Sequence, residues 1–129
     1  MTPIPKKLRF ELATDPEYKV CMKSTVPGHE CQGGITWEHA VIYAGRQVQE
    51  KWAILALCEY AHAVNRFQDG GDLDKRLNLW IALNRASDEA LGAYNKVINY
   101  VRERSRLNSI YGPYTPPFLV KPQLMCVSC

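Results

Sequence analysis

The stretch Ile35 to His62, ITWEHAVIYAGRQVQEKWAILALCEYAH, decides how the chain is read. It opens on an apolar, β-prone run, Ile35 to Ala40, holding an adjacent carboxylate and imidazole, Glu38 and His39. A loop from Val41 to Glu50 follows, with Gly45 in it, and then a second run, Trp52 to Leu57, apolar at every position as a buried strand is. Cys58 comes next, and residues Glu59 to Phe67, with His62 among them, suit a helix. Strand, loop, strand and helix, with polar side chains converging from the first strand and the helix, is the layout of a small metal site. Neighbours on a strand point to opposite faces, so Glu38 and His39 can share a site only at a strand end or a bulge.

These residues resemble the HNH nuclease family, whose ββα-metal fold has this layout. In that family an acid–His pair ends the first strand, the His activates water as general base, and the acid and a His or Asn on the helix bind a divalent metal. Glu38, His39 and His62 match those positions, over a resemblance that spans roughly Cys21 to His62. It implies His39 as general base, with Glu38 and His62 as ligands of Mg²⁺ or Mn²⁺. Asn65, about one helical turn past His62, is a further candidate ligand. The family's middle Asn, which orients the base, falls at Ala53 here. Many members also carry a zinc knuckle built from cysteine pairs flanking the motif. Cys21, Cys31 and Cys58 stand where such ligands sit, Ala61 replaces the second ligand after Cys58, and His29, Cys126 or Cys129 is left as the fourth.

Composition fits these expectations without singling them out. The chain has 129 residues, 47% hydrophobic and 22% charged, which is ordinary for one globular domain. No apolar run is long enough to span a membrane, and MTPIPKKLRF has no apolar core of a secretory signal, so a cytoplasmic setting is expected. In that setting five cysteines point to metal binding or plain burial rather than disulfides. The net charge of +3 arises after His62, which suits a polyanionic partner or a solvated basic face. Arg46, between the two strands, Lys51 and Arg66 are the first candidates for phosphate contacts, with Lys75, Arg76, Arg85, Arg102, Arg104 and Arg106 behind them. Trp52 and Trp80 are read as core; Trp37 flanks the site.

Around the motif, the alternation of Leu8, Phe10 and Leu12 predicts a short strand over Lys7 to Leu12, and a second strand is expected over Tyr18 to Met22. Residues Lys23 to Gly34 read as loop. Asp69, Gly70 and Gly71 should end the motif's helix. Two helices should follow. The first is capped by Asp72 or Asp74, with Leu73, Leu77, Trp80 and Ile81 at helical spacing; the second is capped by Ser87 and runs from Asp88 to Leu107. An extended tail, Pro113 to Cys129, closes the chain.

The expectation is an α+β fold: a ββα-metal core with short N-terminal strands, two following helices and a tail. The implied function is metal-dependent cleavage of DNA, and compact members of the family are often phage or prophage proteins. The rival reading is a domain that kept this fold and lost the chemistry, serving as a zinc-stabilised DNA- or protein-binding module.

Overall fold

A computed structural model describes residues 3–61, 71–94 and 99–117, with backbone only at 71–74. The fold is α+β, with small antiparallel sheets among short helices. The chain enters as a helix, α1 (Lys6–Thr14), and not as the expected strand. Leu8 and Leu12 lie four apart, on one helical face, and Leu12 is buried, while Phe10 turns out to solvent at 69% exposure. With only three apolar residues in the run, period two and a spacing of four cannot be told apart. Asp15 ends α1, and its side chain accepts from the Glu17 N–H to start a 3₁₀ turn, Pro16–Lys19. That turn occupies part of the second expected strand, and residues 20–34 then run as turns and loop.

The central hairpin is β1 (Ile35–His39) against a distant partner strand, Ile54–Cys58, in antiparallel register from Ile35 opposite Cys58 to His39 opposite Ile54. The connection folds into a miniature hairpin of its own, β2 (Ile42–Tyr43) and β3 (Arg46–Gln47). Ala44 and Gly45 between them both have positive φ, +52° and +78°, as a tight hairpin turn requires. The partner strand, β4 (Ile54–Cys58), is buried at all five positions. Trp52 and Ala53, expected within it, form a 3₁₀ turn instead. The backbone turns helical again at Glu59 to Ala61.

A clamp of polar groups fixes the approach to β4. The Tyr18 hydroxyl reaches the carbonyls of Lys51 and Ile54, and Arg85 donates to those of Lys51, Trp52 and Ile54 at 3.2–3.4 Å. The Arg85 guanidinium also lies 5.1 Å from the Tyr18 ring centre. Burial pushes the Tyr18 phenol up to about 12, so it stays a donor at all ordinary pH.

Arg85 closes a helix, α2 (Gly71–Arg85), whose Trp80, Ile81 and Leu83 pack into the core. Gly71 is itself helical and so does not end a helix, Asp72 and Asp74 lie within this one, and Asp69 and Gly70 lie outside the described residues. The Ser87 hydroxyl accepts from the Ala90 N–H and caps α3 (Asp88–Gly92), as expected. The helix read through to Leu107 is broken: Asn99 caps a separate α4 (Tyr100–Tyr111) by accepting from the Arg102 N–H. Gly92 and a second capping residue within the run are what divide it. Gly112, at φ +81°, ends α4. The chain then returns across the core, with Tyr114 buried, edge-on to Trp80, its hydroxyl donating to the Met22 carbonyl. Trp80 itself donates to Asn108 and to the Gly112 carbonyl, so Trp52 and Trp80 are both core residues as read.

Candidate metal centre and adjoining cleft

Two constellations of polar residues flank the β1–β4 hairpin. The first lies where β4 ends. Cys21, His29, Cys31 and Cys58 each offer one ligand atom, all within 4.8 Å of one another, and together could hold a metal ion. His29 Nε2 is 3.5 Å from Cys58 Sγ and 3.7 Å from Cys21 Sγ. A tetrahedral zinc with ordinary Zn–S and Zn–N bonds separates its sulfur and nitrogen ligands by about 3.6 Å. The group therefore has the spacing of a closed four-ligand site, and His29 takes the fourth place among the described residues.

Local structure explains the convergence. Cys58 is the last residue of β4, and Cys21 follows the Pro16–Lys19 turn, next to Met22, whose N–H donates to the Ala56 carbonyl. The loop carrying His29 and Cys31 is laid over the start of the helical turn by two backbone bonds, Glu59 N–H to Gly34 O and Tyr60 N–H to Gln32 O. Gly33 permits that crossing. Its φ is +83°, and a Cβ there would sit 2.8 Å from the Cβ of Glu59. Burial, with the neighbouring thiols adding to it, raises both Cys21 and Cys31 above the ordinary thiol range. Such crowding of buried sulfur is unfavourable for thiolates alone and favourable once a cation shares them.

The second constellation is a cleft of about 580 Å³ at the other end of the hairpin, with Glu38 and His39 in its wall. His39 is the last residue of β1, and this strand end lets two sequence neighbours border one cavity. His39 Nε2 is 2.9 Å from Gln49 Oε1, and Gln49 Nε2 donates to the Pro3 carbonyl at 3.3 Å. That second bond turns the Gln49 amide oxygen toward the ring, where it is placed to accept from an Nε2–H. Ala53, where the resemblance leads one to expect an Asn, is fully buried and offers no polar group. Nothing in the spacing of Gln49 marks it in the sequence; only the fold of the 41–50 connection brings it to the ring.

Of the other expected site residues, Arg46 is exposed on the small hairpin. Lys51 pairs with Asp15. Arg85 belongs to the clamp, Arg104 pairs with Asp88, and Arg106 with Glu103. Lys75 and Arg76 are exposed at the cleft. His62, Asn65, Arg66, Cys126 and Cys129 lie outside the described residues. Among the described residues no helix is long and apolar enough to cross a membrane. Comparison with models of protein families, with curated proteins and with solved structures finds no match to this chain.

Proposed function

We propose that the chain is a metal-dependent DNA endonuclease of the HNH type, built on a ββα core whose strands are β1 and β4 and whose helix opens at Glu59. The observation that carries the reading is the setting of His39, which ends β1 at an open cleft beside Glu38, its Nε2–H bonded to Gln49. A neutral imidazole held by one nitrogen presents the other as a base, here Nδ1, and can take a proton from water near neutral pH. Gln49 supplies from the loop the orientation that the family obtains from the Asn replaced by Ala53. Glu38 offers a hard carboxylate oxygen and His62, by the resemblance, an imidazole nitrogen, a donor pair that suits Mg²⁺ or Mn²⁺. A divalent ion held there neutralises charge on the phosphate and leaving oxygen. Exposed Arg46, Lys75 and Arg76 would meet the DNA backbone. The cysteine–histidine cluster, in this reading, holds a structural zinc that locks the 21–34 loop onto the hairpin.

One observation favours a second reading. Ala53 is buried in the core where a polar orienting residue is expected, as it would be in a domain kept for zinc-stabilised binding alone. Incubation with supercoiled plasmid separates the two. Nicked circles that form only with Mg²⁺ or Mn²⁺ are expected for the nuclease. Plasmid that is retarded on a gel but stays supercoiled would favour the binding module.

A further inference from the structure

The cleft beside His39 contains more than the nuclease reading uses. Asn78 lines it, 3% exposed and one of two polar or charged residues buried among those described. Gln47, from the small hairpin, lines it too. Among the described residues no hydrogen bond reaches Asn78 Oδ1 or Gln47 Oε1, although both atoms are buried. A buried amide oxygen without a donor is costly and uncommon, and two in one cavity are harder still to account for by packing. A leucine would fill the place of Asn78 at less cost if the position served the core alone. The cavity is open to solvent, and its lining includes the apolar side chains of Val41, Ile42 and Leu79. Lys75 and Arg76 stand exposed at its rim.

An Asn or Gln amide presents a donor and an acceptor side by side, the pattern that matches a purine edge, adenine above all. An apolar wall accommodates the face of a base, and cations at the rim suit the phosphate attached to it. The volume of about 580 Å³ lies within the range of small-ligand pockets. We propose that this cleft seats an unstacked nucleobase, its polar edge bonded by Asn78 and Gln47 and its phosphate held at Lys75 and Arg76. The proposal rests on the nuclease reading in making the base part of the substrate; binding itself requires neither His39 nor a divalent metal. An enzyme that draws a base out of the stack in this way gains selectivity for sites where unstacking is easy, such as mismatches, nicks and single strands.

The test is a titration of the full-length protein, ¹⁵N-labelled, with deoxyadenosine 5′-monophosphate, followed on the side-chain amide signals of Asn78 and Gln47. Deoxyribose 5-phosphate and inorganic phosphate serve as controls. The expected result is saturable movement of both amide pairs by the nucleotide and not by the controls. Asn78→Leu should weaken binding about tenfold or more, the loss of one bidentate contact, while thermal stability holds or rises. Amide signals that stay still, or that move equally with phosphate alone, would overturn the proposal. So would a fall in melting temperature in Asn78→Leu, which would make the residue a structural one. Nucleotide binding retained in a His39→Ala protein, in a chain that never nicks plasmid, would uphold the base site and sink the nuclease. Metal-dependent nicking with immobile amides would do the reverse.

Discussion

A zinc ion held by the cysteine–histidine cluster should contribute a large part of this protein's stability, so chelation should lower it. Between Val20 and Gly34 there is no helix or strand to hold the chain. The bonds tying this loop to the hairpin and tail include Met22 N–H to Ala56, Glu59 N–H to Gly34, Tyr60 N–H to Gln32 and the Tyr114 hydroxyl to Met22. Each is worth about 1 kcal/mol net, whereas every residue fixed in place costs about 1–2 kcal/mol of conformational entropy. Burial of Cys21 and Met22 offsets part of that; a zinc ion held by the cluster would supply much of the rest. With free zinc at about a thousand times its dissociation constant, linkage contributes about 4 kcal/mol. For a chain of this length, with an unfolding entropy of about 2 cal/mol/K per residue, that is a shift in melting temperature of about 15 °C. The assay is thermal unfolding followed by circular dichroism, in excess zinc and after exhaustive chelation, beside Cys58→Ser carried through both conditions. The wild type should fall by that amount on chelation, and the variant should respond little. A purified protein that contains no zinc, and whose melting temperature is the same with zinc and with chelator, would refute the reasoning.

Further expectations follow from single residues. Gly33→Ala forces a Cβ against Glu59 at a positive φ and should cost about 2 kcal/mol in chemical denaturation, with weaker zinc retention because Cys31 is displaced with it. Ala44 holds φ at +52°, so Ala44→Gly should stabilise by about 1 kcal/mol in the same assay. Burial works to raise the Asp15 carboxyl, but hydrogen bonds from Lys51 and the Glu17 N–H, with the charges of Lys51 and Arg85, hold it below its usual 3.8. A depressed carboxylate stabilises the fold above its unfolded pKa, and that stability is lost as pH falls through the folded value. Asp15→Asn should therefore cost about 0.5 kcal/mol at pH 7 and progressively less below about pH 4, the pair being partly exposed. A cost that does not change across that range would assign the effect to the turn cap instead.

The second strand of the hairpin was legible from its apolar run: of the expected Trp52 to Leu57, Ile54 to Leu57 is strand and fully buried, while Trp52 and Ala53 form a 3₁₀ turn. Ser87 was legible as a cap because it acts through a contact only three residues long. Cys21, Cys31 and Cys58 could be named because the resemblance implies cysteine ligands flanking the motif, with His29, Cys126 or Cys129 left open as the fourth; the folding of the 21–34 loop is what brings His29 to them. Local signals failed where they were short or were decided from far away. Leu8, Phe10 and Leu12 satisfy a strand alternation, and it is the burial of Leu12 against the body of the protein that selects the helix. The run from Asp88 to Leu107 has apolar residues enough for one helix, but Asn99 offers a second cap within it. Gln49 and Asn78 could not have been picked out, because what distinguishes each is a partner present in one case and missing in the other. Arg85, counted by charge as a surface cation, proves to be a clamp on three carbonyls. Charge counts cannot tell a solvated guanidinium from one drawn inward by acceptors.

The measurement that bears most directly on the proposed activity is the rate of plasmid nicking in Mg²⁺ or Mn²⁺ by the wild type and by His39→Ala, zinc-loaded and matched in melting temperature. A general base contributes about 10²–10⁴-fold, so the account predicts a loss of at least a hundredfold with folding intact. Equal rates in the two proteins, or no metal-dependent nicking by a wild type with its zinc in place, would contradict it.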